Sequence, residues 1–124
     1  MIEQIFILLI AFQVKHFLCD YPLQTPYMLG KFKEVDWFAP LSLHCFTHAA
    51  GTLIVLLLFT NSELLFIYVL LDYCLHFIMD RVKASPKMLG RFKPDNKYFW
   101  WSLGGDQAWH HLTHYLIIYL VVTN

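Results

Sequence analysis

The sequence predicts an all-α integral membrane protein, with four transmembrane helices arranged as two parallel helical-hairpin repeats in one bundle. Three observations carry this reading. The 124 residues are 58% hydrophobic and 15% charged, with a mean hydropathy of +0.50, whereas about 25% of the residues in an ordinary soluble domain are charged. The apolar residues gather into four long segments. A stretch at the end of the first segment, HFLCDYPLQTPYMLGKFK (16–33), is nearly rewritten sixty positions later as HFIMDRVKASPKMLGRFK (76–93).

The four segments are about Ile2–Cys19, Leu41–Thr60, Leu64–Met79 and Leu103–Val122. A helix rising about 1.5 Å per residue needs roughly 20 residues to cross a hydrocarbon core of about 30 Å, and each segment approaches that length. The third is the shortest and begins at an interfacial Ser62-Glu63. The first is not expected to be a cleavable signal, because no basic residue precedes it and no small-residue cleavage site follows it. Cys19, Cys45 and Cys74 lie in or beside the apolar segments without CxxC spacing, which suits apolar filling better than a disulfide framework.

All nine Lys and Arg fall within Lys15–Lys33 or Arg81–Lys97, so the formal net charge of zero conceals two basic loops. By the positive-inside rule, loops Tyr21–Pro40 and Arg81–Ser102 are expected to be cytoplasmic and both termini to lie outside. Matched pairs across the repeat include His16/His76, Asp20/Asp80, Gly30/Gly90 and Lys33/Lys93, and HCFTH (44–48) answers HHLTH (110–114). One transmembrane domain over 1–124 is therefore expected, with repeats of about 1–60 and 61–124 that enter the membrane from the same side.

Ionisable side chains are costly in apolar segments, and here they are of ligand type. A spacing of four puts His16 above Asp20, His44 above His48, His76 above Asp80, and His110 above His114 on common helix faces. Asp72 and Asp106 extend the second-repeat rows, while His111 is turned about 100° from His110 and is expected to point elsewhere. Imidazole and carboxylate suit zinc first, then iron or manganese, and facing helices of a bundle can supply such sets. The expected ligands are His16, Asp20, His44, His48, His76, Asp80, His110 and His114, holding one ion per repeat or a shared pair of divalent ions. Interhelical His–Asp hydrogen bonding without metal is the plainer alternative.

In the loops, MLGKFK and MLGRFK set Lys31, Lys33, Arg91 and Lys93 beside apolar anchors, a pattern expected to meet lipid headgroups. Ordinary topogenic charge accounts for each residue equally well. No nucleic-acid motif, P-loop, GxSxG or dinucleotide fingerprint is present.

With His16, Asp20, Pro22, Leu23 and Gln24, then His76, Asp80 and Lys83, then Asp106, Gln107 and His110, the chain resembles the bacterial and phage membrane family called Domain of Unknown Function 3307 over nearly its whole length. The resemblance implies a small membrane protein, expected in a bacterial inner membrane, and leaves its activity open. More distantly, the chain is similar to inner-membrane metal-dependent hydrolases. His110, Thr113 and His114 fit a signature of that family, but His111 stands in place of its Arg and Tyr115 in place of its Ser.

The expected function is a metal-dependent hydrolase acting on a lipid or lipid-linked group at the cytoplasmic leaflet, with Asp72 and Asp106 as base or orienting carboxylates. A membrane di-iron oxygenase is the second enzyme reading, although seven histidines accompanied by aspartates favour hydrolysis. A non-enzymatic ion-handling or interaction protein is the third, and a conduit of four helices would require a homo-oligomer.

Overall fold

The computed structural model describes residues 1–124. It is all-helical: α1 (Ile2–Asp20), α2 (Phe38–Phe59), α3 (Leu65–Ala84) and α4 (Lys97–Thr123), with short 3-10 helices at Pro26–Phe32 and Leu89–Arg91 in the two long connections. Each helix packs on its neighbours in sequence, and α4 returns to α1 to close the bundle.

The helices run past the apolar segments at the loop-side end. The α3 helix continues to Ala84 because nothing in Asp80-Arg81-Val82-Lys83 opposes helix, and it stops where Ser85 precedes Pro86, a position biased away from helical backbone. The α4 helix starts at Lys97, six residues before the expected Leu103, because the Asn96 side chain accepts a hydrogen bond from the Tyr98 amide and caps it. Two helices, α1 and α2, are long and apolar enough to cross a membrane. Asp72, Asp80, Arg81 and Lys83 crowd α3 with charge, and the first half of α4 is polar.

Burial is divided along the bundle. At the end bearing the termini, Leu8, Phe12, Val55, Leu56, Tyr68, Ile117, Ile118 and Val121 form an apolar core. Toward the loops, histidine, aspartate, lysine and threonine enter the interior beside Cys19, Met28, Leu41 and Cys45. The outer surface is greasy on all four helices, with Ile10, Phe46, Phe66, Leu70, Leu112 and Tyr119 among the exposed side chains.

The first connection is folded against the bundle. Pro26 opens its 3-10 helix, and Gly30 lies so close to the Pro40 ring that a Cβ would stand 2.7 Å from Pro40 Cγ. From α3, Arg81 donates to the carbonyls of Lys31 (3.1 Å) and Lys33 (3.3 Å) while its guanidinium stacks 3.9 Å over Trp37. In the second connection, Gly90 is forced by backbone: a Cβ would come 2.3 Å from the Ala84 carbonyl oxygen.

Candidate metal centre

The last turns of α1 bring His16 and Asp20 to the bundle interior, the first turns of α2 bring His44 and His48, α3 supplies Asp72, His76 and Asp80, and α4 supplies Asp106, His110 and His114. All are buried except Asp20, which is half-buried. The spacing of four accounts for the rows within each helix, and closure of the bundle brings the rows together.

Two carboxylates organise the centre. Asp20 Oδ1 lies 2.8 Å from His48 Nε2 and 3.6 Å from His44 Nε2, and its Oδ2 lies 3.0 Å from His16 Nε2. Asp80 Oδ2 lies 3.2 Å from His44 Nε2 and 3.3 Å from His76 Nε2, and its Oδ1 lies 3.2 Å from His110 Nε2. The rings also pack on one another, with centroids 3.9 Å apart for His48–His76 and 4.0 Å for His76–His110. The Nδ1 atoms of His16, His44 and His48 are buried and have no hydrogen-bond partner.

Two groups of side chains have donor atoms close enough together to hold a metal ion: Asp20, His44, His48 and His76, and then His76, Asp80 and His110. Donors held about 2.0–2.1 Å from one ion are separated by about 3.4 Å in a tetrahedron and about 2.9 Å in an octahedron; the distances around Asp80 lie within that range, and those around Asp20 straddle it. The fit is chemical as well as geometric. His76 Nε2 and Asp80 Oδ2 are shielded from solvent, face each other at 3.3 Å and make no hydrogen bond. Asp80 Oδ2 also lies 3.2 Å from His44 Nε2 and 3.5 Å from Lys31 Nζ, so a cation bound here would take the place of the lysine ammonium as the carboxylate's partner.

The groups cross the repeat boundary, since His76 of the second half belongs to both. Six of the eight expected ligands fall within them. His16 is instead bonded to Asp20 and, at 2.9 Å, to Gln107 Oε1. His114 stacks on Phe12 at 4.9 Å, with a buried Nε2 that lacks a partner. His111 was expected to point away, yet its ring stands 5.4 Å from His16 at the edge of the cluster.

Asp72 and Asp106 have cationic partners. Asp72 is fully buried, ion-paired with Lys15 at 3.3 Å and hydrogen-bonded by the Thr52 hydroxyl. Asp106 lies 3.0 Å from His110 Nε2 and 3.7 Å from Lys83, and accepts from Gln107 Nε2 at 3.0 Å. Lys15 and Thr52 were not anticipated. Lys15 follows Leu8 and Phe12, and precedes Cys19, on the buried stripe of α1, a placement readable as a core cation in search of an acid.

Lys31, expected at the headgroups, is 7% exposed. Its ammonium donates to Gln24 Oε1 at 3.0 Å and lies 3.5 Å from Asp80 Oδ2, because the Arg81 contacts fold its loop inward. Lys33, Arg91 and Lys93 are exposed. Above the centre, a cleft of about 180 Å³ is lined by Asp20, Gln24, Lys31, Asp80, Lys83 and Asp106, among others. It connects the carboxylates to the loop-side surface, beside two lysines.

The family described as Protein of unknown function (DUF3307) matches residues 6–124. No curated protein and no solved structure matches the chain. The likeness to metal-dependent hydrolases thus stands on the residues of the sequence signature alone.

Proposed function

The chain belongs to the DUF3307 family, whose activity is unassigned, so its chemistry has to be read from its own site; we propose that it is a membrane-embedded, metal-dependent hydrolase of a lipid or lipid-linked anionic ester. The observation that carries this reading is the convergence of two donor groups, Asp20, His44, His48 and His76 with His76, Asp80 and His110, beneath a cleft with two lysines.

In this proposal Asp20, His44, His48, His76, Asp80 and His110 hold one or two divalent ions, zinc before iron or manganese. Such an ion supplies a water of lowered pKa and a Lewis acid for the scissile group. Lys31 and Lys83 face the cleft and bind the anionic portion of the substrate. Asp106, at the cleft and 3.0 Å from His110, is the carboxylate placed to accept a proton there. Asp72, engaged by Lys15 and Thr52, is a positioning residue below the centre.

Membrane embedding by all four helices is supported by the inversion of burial, with polar groups inside and large apolar side chains exposed on every helix. The repeats then form two parallel hairpins in an inner membrane, with basic loops cytoplasmic, termini outside, and Lys33, Arg91 and Lys93 at the headgroups.

Metal analysis of the full chain purified in detergent tests the reading. We expect at least one equivalent of metal in the wild-type protein, loss of it in His76→Ala and Asp80→Ala, and metal-dependent release of a headgroup or acyl product from lipid vesicles. Protein without stoichiometric metal, or metal retained in both variants, overturns it.

A further inference from the structure

A second cavity lies outside the centre, between α1 and α2. It has a volume of about 510 Å³ and is lined by Ile7, Ile10, Ala11, Val14, Leu18 and Ile54, with Leu23 at its loop end. Ile10, Val14, Leu18 and Ile54 are exposed, so the groove opens sideways from the bundle. Its only charged lining residue is Lys15, whose stem lies over Gly51 and whose ammonium turns inward to Asp72. A Cβ at Gly51 would stand 2.8 Å from Lys15 Cγ, so the missing side chain is what lets the lysine stem form the groove floor.

From the structure we infer that this groove binds one acyl chain of a lipid in the loop-side leaflet and thereby delivers that lipid's headgroup to the cleft. Position commits the occupant, because the groove lies between the two helices that are apolar and long enough to cross a membrane. Length agrees: from Ile7 to Leu18 the helix rises about 17 Å, close to half of a hydrocarbon core of about 30 Å. Groove and cleft are neighbours, since Cys19 and Leu23 line the first while the residues next to them, Asp20 and Gln24, line the second, and Gln24 bonds Lys31. The inference rests on the membrane-embedded hydrolase reading for what the headgroup meets, and adds where the chain lies.

The test is photolabelling of the full chain in phosphatidylglycerol/phosphatidylethanolamine vesicles, using phosphatidylglycerol with a diazirine in its acyl chain as the probe. Labels should concentrate on Ile10, Val14, Leu18 and Ile54. Ala11→Phe should lower labelling there about tenfold, the loss expected when roughly two methylene contacts are excluded. Ile54→Trp, which fills the groove from its exposed rim, should do the same if Ala11→Phe does not fold. Labelling spread evenly over exposed apolar residues such as Ile67, Leu70 and Tyr119, or unchanged in a folded filling variant, overturns the inference. Metal content is measured on the same samples. Its absence would sink the hydrolase reading while the label pattern still decides the groove.

Discussion

The two repeats use one motif for different ends. In the first, the loop after α1 folds into a seven-residue 3-10 helix and carries Lys31 inward to Asp80. In the second, the equivalent helix is three residues long and Arg91 stays exposed, stacked 4.9 Å from the Phe92 ring. The first half alone has a core cation, Lys15, where the second has Leu75; the second alone has Asp72 and Asp106, where the first has Phe12 and Pro40. The duplicated part is therefore a scaffold of His/Asp rows, and the diverged part is charge that crosses between the halves.

Lys15 and Asp72 are the strongest case, since each is unique to its half and each neutralises the other in a dry interior. Removing one leaves a buried charge, so Lys15→Leu or Asp72→Leu alone should cost about 3–5 kcal/mol. The double variant should recover most of that loss, because apolar replacement of a whole buried pair is often neutral. Thermal unfolding in detergent, read as a double-mutant cycle, decides it. Additive losses would mean that the two charges do not act on each other.

His76 and His16 are repeat equivalents with unequal places. His76 belongs to both ligand groups, whereas His16 is spoken for by Asp20 and Gln107. His76→Ala should abolish stoichiometric metal, and His16→Ala should weaken it about 10–100-fold, as loss of an orienting partner does. Equal losses measured by metal titration would favour one ion per repeat over the shared pair, the two arrangements that the rows left open.

Gly30 and Gly90 contrast in what crowds them. A methyl at Gly90 meets the Ala84 and Ser85 carbonyls, while one at Gly30 meets the edge of the Pro40 ring. Overpacking costs about 1–3 kcal/mol. Gly90→Ala should fall at the upper end and Gly30→Ala at the lower, as read from unfolding midpoints; the reverse order would show that the second loop yields more easily than its backbone contacts imply.

The helices and the His/Asp rows were legible because each depends on local spacing. The start of α4 was legible in principle from Asn96, but Lys97–Ser102 reads as an aromatic interfacial loop when hydropathy alone is followed. What spacing cannot state is which rows face each other. The pairing of Lys15 with Asp72 spans 57 residues, and the four-ligand group draws on three helices. Lys31 was misplaced for a similar reason: its position is set by Arg81, 50 residues on, which holds the loop by its carbonyls and leaves nothing in MLGKFK to show it.

Lys31 and Arg91 provide the smallest and sharpest contrast, because the sequence makes them equivalent and the fold does not. The Lys31 ammonium sits 3.5 Å from Asp80 Oδ2 and competes with any cation that this carboxylate would bind. Removing a like charge near an ion relieves repulsion, so Lys31→Met should tighten metal binding by about tenfold or more, since a monovalent and a divalent cation about 5 Å apart repel by roughly 1.7 kcal/mol even when screened as in bulk water. Arg91→Met should leave it unchanged, since Arg91 is exposed and screened by salt. Titration of zinc into chelator-stripped protein measures both. Weaker binding in Lys31→Met would mean that the lysine positions Asp80 through its ion pair more than it repels the metal. Equal behaviour of the two variants would return Lys31 to the headgroups, where its motif first placed it.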